Sequence, residues 1–303
     1  MGRRYRSPAS GLGPGRCNTE LMTSNVTHIE TGTEDLLAHV DGNVGVITFN
    51  RPDRRNALSN AMYDGFHAAL PALADDPNVN VVMITGAGGA FCAGGDVKAM
   101  NEGHKNVGNP KEQLGDDPES RAHGLAERQR WVSLAIHRFP KPVIAALPGA
   151  AAGAGMSIAL ACDLRLAAER AIVVPAFVNV GGSGDFGGSW FLTQLVGTAK
   201  AKELYFTSPR LSSQDALDLG IVNQVLPDDD FGVTALDWCR SLAERAPVAL
   251  RYMKQNLNRA ITCDLETALD AEATAMIRTM STADHREAAA AFVEKRTPAF
   301  TGR

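Results

Sequence analysis

Lys141 to Ala167 reads KPVIAALPGAAAGAGMSIALACDLRLA, and the order of its patterns decides the fold. Its opening, as far as Leu147, is a short apolar run suited to a strand buried on both faces. A glycine- and alanine-rich turn follows, then Met156 to Cys162 as a helix, then a returning strand from Asp163. Earlier in the chain the apolar run Val79–Thr85 is followed by a second small-residue turn, Phe91-Cys92-Ala93-Gly94-Gly95-Asp96. Repeated strand–turn–helix units specify an α/β architecture. Small residues at both turns let backbone approach backbone, so two sets of peptide N–H groups can face one ligand atom. That is what an oxyanion hole requires, and the enolate of a thioester is an oxyanion.

Outward from these turns the pattern is consistent. LLAHVDGNVGVITF, residues 36–49, reads as a hairpin around Asp41-Gly42-Asn43, and a turn-rich segment from Asn50 leads to Ser59, placed to cap a helix towards Leu73. Asn101 to Arg121 lacks a period and reads as a surface loop, either a lid or a disordered insertion. Leu125 to Phe139 has helical spacing and stops at Pro140. Gly181 to Ser189 is a glycine-rich turn ahead of a helix starting WFLTQLVG. From Phe231 to the C-terminus helix formers dominate, with a break at Ala246-Pro247, and apolar stripes there suit either internal packing or an oligomer interface.

The composition narrows the function. The chain of 303 residues is long enough for a large buried core, and 45% hydrophobic with 21% charged residues is globular composition. A net charge of -4 offers no electrostatic case for nucleic acid, and no apolar run has the length of a membrane span. The five cysteines are scattered without a CxxC pair and the seven histidines lack ligand spacing, so no metal site is expected. This is the cysteine usage of a reducing cytoplasm. Gly153-Ala154-Gly155 begins like a dinucleotide fingerprint but lacks its third glycine, and no P-loop occurs. Residues 1–33 read as a flexible extension, with an organellar transit peptide as the alternative and Met22 as a possible natural start.

Asn50-Arg-Pro through Arg55-Asn56-Ala57-Leu58, Phe91 to Asp96, Lys141 to Asp163, Gly187-Gly-Ser through Gly220-Ile-Val-Asn, and the terminal AFVEKRTPAFTGR occur in an order that resembles the crotonase, or enoyl-CoA hydratase/isomerase, superfamily. The resemblance implies a spiral of ββα units over residues 34–230, a helical region over 231–303 that builds trimers or dimers of trimers, and an acyl-CoA substrate with no separate cofactor. It implies that the thioester carbonyl lies between the N–H groups of Ala93 and Ala154. Alanine at 154, where the family usually has glycine, predicts an ordinary helical φ there. Arg55, Ala57 (through its backbone), Gly94, Gly95 and Asp96 would line the CoA site.

The chain departs from the family's hydratases, because the positions of their two glutamates fall on Ser157 and Phe177, neither of which can replace a carboxylate. Asp185 resembles the aspartate of family isomerases and would act as base and then acid; alternatively it caps the following helix. The expected reaction is therefore a double-bond shift through Asp185 or hydration of a 2-enoyl-CoA. Two other readings are open. Gly155-Met156-Ser157-Ile158-Ala159 nearly matches a nucleophile elbow, for which His285 is the one downstream histidine, giving a thioesterase. A scaffold that binds acyl-CoA without turnover is the other. Asp96 and Asp163 read as turn-orienting hydrogen-bond acceptors, and Lys254 as either a phosphate contact or part of a solvated helix face.

Overall fold

The computed structural model describes residues 26–96 and 117–303. A seven-stranded sheet has the order β1-β2-β3-β4-β5-β7-β10, formed by Val26–Ile29, Leu36–Asp41, Val44–Phe49, Val81–Gly86, Val143–Leu147, Leu164–Ala168 and Gln224–Leu226. The first three strands pair antiparallel and the remainder parallel. A smaller sheet, β6-β8-β9, joins Ala151–Ala152, Ile172–Val174 and Leu211–Ser212. Between the strands run α1 (Asn60–Asp75), α2 (Pro118–Gln129), α3 (Ala154–Ala161), α4 (Gly188–Thr207) and α5 (Ser213–Asp218). α6 (Phe231–Ala243), α7 (Pro247–Ala260), α8 (Leu265–Met280) and α9 (Ala283–Glu294) complete the chain.

The mixed α/β class follows from the apolar runs. Ile47, Ile84, Val143 and Ile144 are wholly buried, and α1 brings Met62, Phe66 and Leu73 onto the same core. Ser59 caps α1 by accepting the Met62 N–H at 3.3 Å. The hairpin turns at Gly42, whose φ of +58° suits a tight connection. β4 and β5 are parallel neighbours, so the segments leaving their C-terminal ends emerge side by side. Those segments carry the two small-residue turns.

Three expectations shift. The extension does not reach residue 33: Val26–Ile29 pairs with β2, Val26 opposite Asp41, in a run too short to show a period. The loop expected over Asn101–Arg121 ends sooner, because Asp117 accepts the Ser120 N–H at 3.0 Å and Pro118 stands in the first turn of α2. α2 then passes through a π-helical turn, Arg130–Leu134, into a last turn at Ala135–His137. The remaining parts of those two readings, residues 1–25 and 101–116, lie outside the described residues. The region after Phe231 is helical, but α6 belongs to the core, where it buries Phe231, Ala235, Cys239 and Ala243. α7 to α9 present many of their large apolar side chains to solvent, among them Leu257, Leu265, Ile277, Phe292 and Val293.

Candidate active site

Backbone hydrogen bonds join the two turns. The Phe91 and Cys92 N–H groups donate to Ala150 O at 3.0 and 3.2 Å, and the Ala152 N–H donates to Cys92 O at 3.0 Å. Gly94 has a φ of +86°, and a Cβ there would lie 2.7 Å from Ala152 O and 3.2 Å from Ala154 N. Glycine at 94 is therefore what allows the turns to touch.

The donors differ in part from expectation. The Ala93 N–H points back and donates to Arg55 O at 3.0 Å, so it is not available to a ligand. Leu58 donates to Gly94 O at 2.8 Å in a bridge centred on Gly95, and the Gly95 N–H has no acceptor among the described residues. Gly95 thus replaces Ala93 as the first candidate donor. Ala154 keeps its place: it is the first residue of α3, where an N–H has no intrahelical acceptor, and its φ is ordinary. The unusual backbone falls on Gly153 instead, at φ +52° and ψ -124°.

Asp185 does not cap a helix. Gly187 is the N-cap of α4, which has no side-chain cap, and the Asp185 backbone carbonyl accepts the Gly188 N–H at 3.1 Å. Its Oδ1 is buried and without a hydrogen-bond partner. Burial pushes the carboxyl up to about 6. Its charge is felt at the Tyr63 and Tyr205 hydroxyls and at the Cys92 thiol of the first turn. Phe186, next in sequence, is a bulky residue at φ +49°, stacked on Tyr63 at 5.9 Å. Strain of this kind is held only where its surroundings enforce it.

Ser157 and Phe177 leave no second acid. Ser157 is wholly buried and its hydroxyl donates to Gly153 O at 3.3 Å. Phe177 stacks on Tyr205 at 5.8 Å. The Tyr205 hydroxyl is buried without a partner of hydrogen-bond geometry, although it senses the Ser157 hydroxyl, and burial pushes it up to about 12. A Cβ on Gly188 would collide with Ser157 Oγ and lie 2.5 Å from the Tyr205 hydroxyl. His285 is exposed on α9, so the structure does not bring it to buried Ser157, and the nucleophile-elbow reading has no base.

Arg55 lies with Ala93, Ala152 and Asn179 around a cavity of about 300 Å³. Arg210 lines it too, and nothing in the local sequence pattern marks that residue. Ala57 donates to Arg54 O at 3.0 Å and its carbonyl accepts from Arg51 Nη1 at 2.7 Å, so its backbone is already engaged. Asp96 is paired with Arg51 at 3.4 Å. Lys254 fits neither expectation: it is buried, its Nζ lies 2.7 Å from Asp163 Oδ2, and it donates to Lys141 O at 3.1 Å. Asp163 also accepts the Val143 N–H at 2.7 Å, which orients the turn into β7. Among the described residues no three His, Cys, Asp or Glu side chains gather as metal ligands, and no helix is long and apolar enough to cross a membrane.

Residues 39–303 match the family model described as enoyl-CoA hydratase/isomerase. The 1,2-epoxyphenylacetyl-CoA isomerase of Escherichia coli is 36% identical over 89% of this chain and 99% of its own. The short-chain-enoyl-CoA hydratase of Clostridium acetobutylicum is 34% identical over 86% of this chain and 95% of its own. A crystal structure of an enoyl-CoA hydratase from Polaromonas superposes with a TM-score of 0.79 at 37% identity, covering 88% of this chain and 99% of the other.

Proposed function

The chain belongs to the enoyl-CoA hydratase/isomerase family, and from that premise we propose that it moves the double bond of an enoyl-CoA, with Asp185 carrying the proton. The carrying observation is the half-buried Asp185 carboxyl, whose Oδ1 is buried without a hydrogen-bond partner and whose pKa is raised to about 6, with Ser157 and Phe177 standing where the family's hydratases have their acids. The N–H groups of Gly95 and Ala154 hold the thioester oxygen. Asp185 takes a proton from C2 of a 3-enoyl-CoA, and the electron pair moves onto that oxygen as a dienolate. The same carboxyl returns the proton at C4 as the double bond re-forms between C2 and C3. One carboxyl suffices because the enolate is stabilised by peptide dipoles rather than by a titrating group. Hydration needs a group to activate water, and Ser157 and Phe177 supply none.

Incubation with 2-enoyl- and 3-enoyl-CoA thioesters in deuterated, ¹⁸O-labelled water, followed by mass spectrometry, tests this. A moved double bond with no added oxygen is expected, with deuterium entering to the extent that the proton on Asp185 exchanges with solvent before its return. Oxygen on the acyl chain means hydration and overturns the proposal, and binding without turnover makes the chain an acyl-CoA-binding protein. The pH dependence follows from the sign of the Asp185 shift. The base form exists above a pKa of about 6, so kcat/KM should rise about tenfold per pH unit below that value and level off above it. A flat profile between pH 5 and 8 assigns the proton transfer elsewhere.

Arg55 and Arg210, on one cavity, are the cations we assign to the phosphates of CoA. No cofactor enters this mechanism beyond the CoA of the substrate. The exposed apolar residues of α7 to α9 support assembly as a trimer or a dimer of trimers, and the scattered thiols support a cytoplasmic setting.

A further inference from the structure

Arg128 is 6% exposed on α2, forms no ion pair among the described residues, and its Nη2 is buried without any hydrogen bond. Its guanidinium carbon stands 5.3 Å from the centroid of the Tyr63 ring. A contact of that kind offsets only part of what burying an ion costs, and arginine cannot escape by losing its proton. The sequence pattern treats the residue as one more charge on a polar helix. Among the described residues it is a buried cation that touches no anion, with the carboxylate of its chain neighbour Glu127 acting on it only at a distance.

Its position relates it to the site. Tyr63 senses both the Arg128 and the Asp185 charges and stacks on Phe186, so one aromatic ring separates the guanidinium from the candidate proton carrier. Beyond Arg128 on the same helical run, in the π-helical turn, Ser133 Oγ is also buried and unpaired, and Ser133 lines a cavity of about 800 Å³ together with Phe186 and Gly187. One unsatisfied hydroxyl therefore stands on the cavity beside the residues that follow Asp185, and the Arg128 guanidinium stands on a Tyr63 ring that is itself stacked on Phe186. π-turns are frequent where a helix serves a ligand rather than its own hydrogen-bond ladder.

We infer that the acyl group of the substrate ends in a carboxylate and that Arg128 is the cation that receives it. This rests on the acyl-CoA reading above. The planar guanidinium matches a carboxylate with two parallel N–H bonds, and an enedioyl thioester presents that group at the end opposite the oxygen held by Gly95 and Ala154. A methyl-ended chain leaves the buried cation unpaired, so the residue selects by what the wrong substrate fails to supply.

Calorimetric titration with two saturated five-carbon thioesters, glutaryl-CoA and pentanoyl-CoA, tests this without turnover. The wild-type protein should bind glutaryl-CoA about 10- to 100-fold more tightly, the range of a charge-assisted hydrogen bond. Arg128→Met should remove that preference and Arg128→Lys should keep part of it. Equal affinities in the wild type, or a preference that survives Arg128→Met, overturn the inference and leave the acyl-CoA reading intact. Failure of both ligands to bind overturns that reading as well. Should Arg128→Met not fold, the wild-type comparison decides alone.

Discussion

Asp185→Asn should lower turnover by about 10²- to 10⁴-fold, the contribution of a positioned acid/base, while affinity for the thioester changes little. The amide has nearly the shape of the carboxyl and cannot take a proton, so the loss falls on kcat rather than on binding. A structural role would predict a different accompaniment. Burial raises the Asp185 pKa from 3.8 to about 6, so the folded state resists ionising this group. For a carboxyl shifted upward, the protonated form binds the fold at no penalty below pH 3.8, and stability declines as pH rises from there to about 6, by on the order of 3 kcal/mol. Asparagine has no such decline. The variant should therefore unfold at a higher temperature than the wild type at pH 8 and at the same temperature at pH 3.5. An inactive variant that is also less stable at pH 8 would make Asp185 a packing residue, and a variant with substantial turnover would remove it from the mechanism.

The same comparison explains how far the sequence could be read. Patterns that depend on near neighbours were legible: the hairpin from its alternation and Gly42, the start of α1 from Ser59, and the ordinary φ of Ala154 from the absence of a tolerance that its neighbour Gly153 has. Features decided by distant partners were not. Which of several successive amides stays free after Phe91 is set by the Arg55 carbonyl, which takes the Ala93 N–H and leaves Gly95. Lys254 looks like a surface lysine until Asp163, far away in the chain, is placed 2.7 Å from it. Tyr205 lies within an ordinary helical pattern, and only the glycines on either side of Asp185 admit it: a Cβ on Gly184 would be 3.1 Å from its ring and one on Gly188 2.5 Å from its hydroxyl. Asp185 was visible as an acid in a glycine-rich turn. Its choice between capping and catalysis was not, because that depends on where α4 begins.

Gly94→Ala should lower kcat by about 100-fold or more with every side chain of the site unchanged, the loss seen when one oxyanion donor is displaced. The added methyl would stand 2.7 Å from Ala152 O, and a backbone carbonyl in a stitched turn cannot rotate away as a side chain would. Relief requires the Phe91–Asp96 turn to move from the Ala152–Ala154 turn, which separates the Gly95 and Ala154 N–H groups from their shared target. The left-handed φ of +86° adds strain of about 1–2 kcal/mol, so stability falls too and needs its own control. Gly42→Ala provides it, since Gly42 has a φ of +58°, open space around its Cβ position, and a place on the hairpin turn. If strain alone matters, both variants lose stability and both keep their turnover. If the close approach of the two turns builds the site, the Gly42 variant remains active and the Gly94 variant does not, with kcat falling more than thioester affinity because an enolate oxygen needs both donors more than a ground-state carbonyl does.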